Sequence, residues 1–158
     1  MTAAEYIDRY RLQPHPEGGW YREIYRSARA LGRPAGYPGE RVALTAIYFL
    51  LEAGDFSAFH RVESEEAWTF VAGDSLQIVL LENAPRFRTL GPIEKGGEPL
   101  VIVPPGMLQG ACSLGEFTLA SCLVAPGFDF ADFTLPSRNE LLRAWPQHER
   151  LVRSFTRG

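Results

Sequence analysis

The chain predicts a mainly β fold, an antiparallel sandwich or barrel with short helices near its two ends. Three observations carry that reading. Short runs rich in Val, Ile, Leu, Phe and Tyr recur through the middle of the chain. Turn signals separate them at Gly73-Asp74, Asn83-Ala-Pro85, Gly96-Gly97 and Gly115. Helical periodicity is confined to the beginning and the end. Strands punctuated in this way bury one face each against a shared core.

A length of 158 residues suits one domain, 1–158, large enough to bury a real core. Hydrophobic residues make up 46% and charged residues 22%, the balance of an ordinary globular chain. A net charge of -3 gives no electrostatic footing for nucleic acid, which is held by clustered Lys and Arg. Arg86, Arg88 and the arginines between Arg138 and Arg157 are spread among acids and read as solvated surface. No apolar run approaches the roughly 18 residues of a membrane span, so no membrane partner is expected. Met1-Thr-Ala-Ala-Glu5 does not read as a signal peptide. Cys112 and Cys122 would not face each other in one hairpin turning near Gly115, and they read as free thiols of a reducing compartment. The expected location is cytoplasmic.

Taken in order, Thr2–Leu12 has Tyr6, Ile7 and Tyr10 on one face, Thr2 placed to cap and Glu5 three residues later, which predicts a short amphipathic helix. Leu12-Gln-Pro-His-Pro-Glu-Gly-Gly19 sets a bend. Trp20–Ser27 predicts a strand with Tyr21, Glu23 and Tyr25 on one face and Trp20, Arg22, Ile24 and Arg26 on the other. Ala28–Glu40, with three glycines and two prolines, is a surface loop. Val42–Leu51 is a nearly continuous apolar run, as expected of a strand buried on both faces. Ser75–Leu81, Leu100–Val103, Leu108–Cys112 and Phe117–Leu123 supply further strands. Phe128, Phe130 and Phe133, flanked by Asp129 and Asp132, are placed to seal a barrel end or a dimer contact. From Ser137 to Phe155 the pattern turns helical, capped by Ser137 with Glu140 in the first turn. Pro146 divides it into two short helices.

The chemistry concentrates in Gly54–Gly73. Strand alternation places Ala58, His60 and Val62 on one face and Phe59 and Arg61 on the other. After a turn at Glu63–Glu65, Glu66, Trp68 and Phe70 share a face. A histidine and a carboxylate thus project from facing strands into one pocket.

At these residues the chain resembles the cupin superfamily. The first cupin motif, G-x5-H-x-H-x3-E-x6-G, falls on Gly54, His60, Glu66 and Gly73, with Val62 where the second histidine belongs. The second, P-x-G-x2-H, falls on Pro104, Gly106 and Gln109, with glutamine in place of histidine. His-Pro-Glu-Gly-Gly, His60-Arg-Val-Glu-Ser-Glu-Glu-Ala-Trp68, Val103-Pro-Pro-Gly-Met-Leu-Gln-Gly110 and Val124–Phe133 sharpen the likeness to the small single-domain cupin-5 branch. The resemblance implies an antiparallel jelly-roll (cupin) barrel with short N- and C-terminal helices. It also implies a homodimer and a shape similar to sugar-nucleotide epimerases of the cupin class.

The expected function is binding, and isomerising or epimerising, a small polar, sugar-like metabolite. His60 is the expected general base, paired with Glu66. Tyr48, Tyr21 and Tyr25 are candidates for the acid, with Tyr48 grouped with His60 and Glu66 as catalytic. Tyr21, Glu23, Tyr25, Trp68, Phe70 and Gln109 are the expected ligand-binding set, the aromatics for stacking and the polar groups for hydrogen bonds. No cofactor is expected. A metal-dependent alternative, an oxygenase or isomerase, would use His60, Glu66 and Gln109 as ligands, with His15 or Glu17 approaching from the arm. Only two of those are strong ligands, against the three or four that divalent ions want. A third alternative is a metabolite-binding module without catalysis.

Overall fold

Strand alternation across two facing sheets builds the frame. In the computed structural model, which describes Met1–Gly158, the larger sheet runs in the order β1 (Gln13–Pro14), β2 (Trp20–Arg26), β3 (Thr45–Glu52), β10 (Phe117–Ala125), β5 (Glu65–Gly73), β8 (Leu100–Val103). The smaller runs β11 (Phe133–Thr134), β4 (Phe56–Val62), β9 (Leu108–Ser113), β6 (Leu76–Leu81), β7 (Pro85–Leu90). Every strand pairing is antiparallel, and the whole is the mainly β jelly-roll barrel that the residue pattern and its family likeness implied.

Inward-facing side chains fill one end of the barrel. Phe49 and Leu51 of β3, Trp68 of β5 and Leu76, Ile78 and Leu80 of β6 join Val101, Val103 and Ala120 in one buried cluster. Each such side chain is worth about 1.5–3 kcal/mol of burial. The other end stays hollow. On the outside, α1 (Ala3–Tyr10) lays Tyr6, Ile7 and Tyr10 over Leu50 and Leu119 of the larger sheet. Its start is fixed by reciprocal bonds between Thr2 and Glu5, the capping box read in the sequence. The smaller sheet is covered by α2 (Arg138–Ala144) and α3 (Glu149–Ser154), whose Leu141 and Val152 pack with Phe155 on Phe59, Val79, Leu81 and Leu108. Pro146 separates the two helices as expected. With helices over both outer faces, β3 is apolar on both sides, which explains its continuous hydrophobic run.

Two details differ from the sequence reading. Pro85–Leu90 is a strand, not the end of a turn: it lies at a sheet edge, where Pro85 loses no ladder bond and Phe87 faces solvent, so its pattern carries little core signal. Cys112 and Cys122 are free, but they sit on β9 and β10 in different sheets rather than in one hairpin. Val71 and Leu100 and Ile102 remain exposed apolar residues on the larger sheet's outer side.

One local irregularity positions the site. β4 leaves its ladder with β9 between Ser57 and His60, which frees two backbone donors. Ala58 N–H donates to the Glu17 carbonyl at 2.8 Å, and Phe59 N–H to the Phe155 carbonyl at 2.9 Å. The His15–Gly19 turn therefore docks on the bulge and drives Glu17 inward. Arg157 locks it, donating to the Glu17 carbonyl at 2.6 Å and to Asp55 Oδ1 at 2.7 Å, while Gly19 N–H donates to Asp55 Oδ2 at 2.8 Å. Gly18 and Gly19 have φ of +110° and +74°, and a Cβ on Gly18 would strike the Phe56 carbonyl and the Arg157 guanidinium. Gly18→Ala is expected to cost at least about 2 kcal/mol in chemical denaturation, whereas Gly32→Ala, where a Cβ meets only open space, costs less.

Candidate functional site

The hollow end is a cavity of about 430 Å³ between the sheets. Its polar floor is made by His15 and Glu17 of the inward turn, His60 of β4 and Glu66 of β5. Its walls are Ile47, Phe49, Val62, Trp68 and Val124. Phe128, Phe130 and Phe133 close the mouth, packed edge to face on one another. That aromatic segment is held by a buried ion pair: Arg41 donates to Asp132 through Nε at 2.7 Å and through a terminal nitrogen at 2.6 Å. Phe128 N–H donates to Thr45 Oγ1 at 2.9 Å. The Phe128–Phe133 segment thus lines the open end of the barrel, with Phe130 half exposed.

Hydrogen bonds fix the protonation pattern of both histidines. His60 Nδ1 lies 2.8 Å from the Ala58 carbonyl, an atom that only accepts, so Nδ1 carries the proton and the neutral ring presents a bare Nε2. That Nε2 faces Glu17 Oε2 at 3.3 Å. His15 Nδ1 accepts from the Glu17 N–H at 3.2 Å and stands 3.6 Å from the same Oε2, so its neutral ring carries its proton on Nε2. Glu17 Oε1 accepts from Ser57 Oγ at 2.9 Å. The Oε2 atom therefore faces the bare Nε2 of His60, while the His15 Nδ1 lone pair is already engaged.

Burial sets the charges. Glu17 is only 5% exposed, and loss of water raises its pKa to about 8, against smaller opposing effects of Ser57 and Arg157. Glu66 is pushed to about 7, chiefly by burial and also by the Glu17 carboxyl. Burial lowers His60 below the usual imidazole range, and it brings His15 to about 4, with His60 adding to the effect. Near neutrality the floor holds two neutral imidazoles and two carboxyls close to their titration points.

Gln109 does not offer itself to the cavity. Trp68 Nε1–H donates to its Oε1 at 3.0 Å, which turns the amide nitrogen to Glu66 Oε2 at 2.7 Å. The side chain is a strut between Trp68 and Glu66. Its oxygen, the atom a metal would need, is already engaged. Val62 has no donor atom, and no group of three His, Cys, Asp or Glu side chains is arranged to hold a metal ion. The donor set does not fit the metal centre associated with this fold.

Other predicted residues are sorted by register. Tyr21 and Glu23 line the cavity. Glu23 is engaged by Arg26, through Nε at 2.9 Å and a terminal nitrogen at 2.8 Å. Tyr25 does not line it: β2 bulges between Glu23 and Tyr25, which turns Tyr25 to solvent at 52% exposure and brings Arg26 to the mouth. Tyr48 lies on the opposite face of β3, under α1, with its ring 4.8 Å from that of Tyr10. It cannot reach His60, because Ile47 and Phe49 take the inward positions. Trp68 lines the cavity, but Phe70, two residues on, packs against the filled end of the barrel instead. The sequence reading missed how central Glu17 and His15 are. Two consecutive glycines after His-Pro-Glu were the available signal, since only they let that turn press against β3 and β4.

Residues 4–136 match the family model described as Cupin superfamily (DUF985). A hypothetical protein from Leishmania major is similar along 100% of both chains, at 32% identity and a TM-score of 0.92. A protein from Shewanella oneidensis is 38% identical over 99% of this chain and 98% of its own, with a TM-score of 0.90. Oxalate decarboxylase from Bacillus subtilis, at 12% identity and a TM-score of 0.57, matches 90% of this chain with 36% of its own, a likeness of fold alone. No curated protein matches.

The raised carboxyl pKa values carry a stability consequence. A carboxyl that binds its proton more tightly folded than unfolded favours the fold at low pH, and that contribution is lost as pH rises through the folded pKa. Glu17 and Glu66 should therefore make stability fall between about pH 6.5 and 8. Below that window the depressed His15 acts in the opposite sense. Glu17→Gln is expected to remove about 1–2 kcal/mol of the fall, as read by denaturant titrations at the two pH values.

Proposed function

The chain belongs to the cupin superfamily, in its DUF985 family, and on that premise we propose that its barrel binds a small polar, sugar-like metabolite and transfers a proton on it without a metal, as an isomerase or epimerase does. The observation that carries this reading is the bare Nε2 of His60 facing the cavity, 3.3 Å from Glu17 Oε2. While Glu17 keeps its proton, that proton is shared with Nε2. Once Glu17 ionises, Nε2 is free to take a proton from a substrate carbon, and the imidazolium so formed is paired with the adjacent carboxylate. Base strength is thus a property of the Glu17–His60 pair, and the base form grows as pH rises through about 8. Tyr21 is the one candidate tyrosine that lines the cavity, and it is assigned as the acid. Phe128, Phe130 and Phe133 exclude water over the reacting centre.

The test is deuterium wash-in from heavy water into a panel of aldoses and ketoses, followed by NMR, with chelator-treated protein. Wild-type protein should exchange a carbon-bound proton, faster as pH approaches 8. His60→Asn should lower exchange at least about 100-fold with binding weakened less than about tenfold, and Tyr48→Phe should leave it unchanged. Exchange abolished by chelation, or untouched in His60→Asn, contradicts the proposal. Binding without exchange would make the barrel a metabolite-binding module.

The exposed strip of Val71, Leu100 and Ile102 on the larger sheet is assigned to a homodimer contact, because apolar residues exposed side by side favour association. Sedimentation should show a dimer that Ile102→Asp converts to monomer; a wild-type monomer would contradict it.

A further inference from the structure

We propose that the metabolite is a cation: the cavity is built for an amine-bearing polyol whose ammonium group is held between the Glu17 and Glu66 carboxyls, against an aromatic wall. This rests on the cavity assigned above as the binding site, and it names the charge class of what enters.

The first support is the inventory of charge. Four carboxyls line the cavity, from Glu17, Glu23, Glu66 and Asp129, against one guanidinium, that of Arg26. Arg26 is already bonded twice to Glu23 and once to the Phe128 carbonyl, at 3.1 Å. Neither histidine supplies positive charge near neutrality. A phosphate or carboxylate ligand would meet acidic groups and no uncommitted cation. Glu23 and Asp129 stand at the exposed rim beside Arg26 and Arg41, so the charge that an ionised ligand meets inside is that of Glu17 and Glu66, which disfavours dicarboxylates and nucleotide-linked sugars.

The second support is a donor that is lost when Glu17 ionises. Glu17 Oε2, on a side chain 7% exposed, lies 3.3 Å from the bare His60 Nε2 and shares its own proton with it, while His15 Nδ1, 3.6 Å away, already accepts from the Glu17 N–H. Once the carboxyl proton leaves, an anionic oxygen faces a nitrogen lone pair with no donor between them, and the two repel. An ammonium nitrogen has three N–H groups and no lone pair. Placed about 2.9 Å from Oε2, it replaces the lost donor, and its remaining N–H groups face a floor that also holds Glu66, whose Oε2 accepts from the Gln109 amide. The carbon that bears the nitrogen then lies beside His60 Nε2, where proton transfer is proposed. The rings of Tyr21, Phe49, Trp68 and Phe133 line the same cavity, and aromatic faces attract a desolvated cation. Glu17 and Glu66 titrate near neutrality, so an arriving ammonium completes their ionisation and expels protons to solvent.

Isothermal titration of the full chain with three open-chain polyols that differ only at one end, 1-amino-1-deoxyglucitol, glucitol and gluconate, tests the inference without any variant. The amine should bind at least about tenfold tighter than glucitol, gluconate should bind weakest, and titration in two buffers of different ionisation enthalpy should reveal proton release with the amine alone. Glu66→Gln and Glu17→Gln should each remove most of the amine's advantage over glucitol, read as the ratio of the two Kd values in the same variant. Glucitol binding as tightly as the amine, gluconate binding tightest, no binding by the amine, or an amine advantage that survives both substitutions overturns the inference. The two proposals fail separately: wash-in with no preference for the amine leaves proton transfer standing, and amine preference with no wash-in leaves the charge class standing.

Discussion

A carboxyl group taken out of water with no ionised partner bonded to it organises this molecule. Placing Glu17 in the hollow is unfavourable unless its charge is suppressed, and the surroundings do so by keeping its proton near neutral pH. The frame that forces it there is specific. A bulge in β4 frees Ala58 N–H, two left-handed glycines permit the turn, and Arg157 and Asp55 fasten it from the other end of the chain. The N-terminal turn, the centre of the sheet and the C-terminus therefore meet at one backbone carbonyl. Loosening any of them would let water reach Glu17 and lower its pKa.

The barrel divides its interior between stability and chemistry. The end filled by Leu76, Ile78, Leu80 and their neighbours is core. The opposite end keeps space, with its buried polar groups on the floor and Glu23, Arg26 and Asp129 at the exposed rim. The buried groups follow a consistent logic: Glu66 accepts from the Gln109 amide, whereas Glu17 Oε2 and His60 Nε2 share one proton. The valine and glutamine at the two positions where the motifs would place histidines fit that logic as well. Val62 is apolar wall, and Gln109 is the strut that orients Glu66 through Trp68.

Much of this was legible in the residues. Alternation placed His60 and Glu66 in one hollow because β5 is regular at Glu66 and β4 resumes its pairing with β9 at His60, just past the bulge. The capping box at Thr2–Glu5, the break at Pro146 and the doubly covered β3 were each written in local pattern. What failed to show were departures from period two. The bulge after Glu23 turned Tyr25 outward and Arg26 inward, and one apolar run gives no sign of which of its faces is the interior, so Tyr48 was assigned to the wrong side. Glu17 was harder still. It sits in a turn rather than a strand, and its role depends on tertiary contacts with Ala58 and Arg157, about 40 and 140 residues away in sequence.

The state of the His60 ring is the most direct measure of the account. In protein labelled with nitrogen-15 at histidine, NMR at neutral pH should show the His60 Nδ1 protonated and its Nε2 bare, with the imidazolium forming only below the usual histidine range. A His60 that is already imidazolium at neutral pH, or that carries its proton on Nε2, would contradict it.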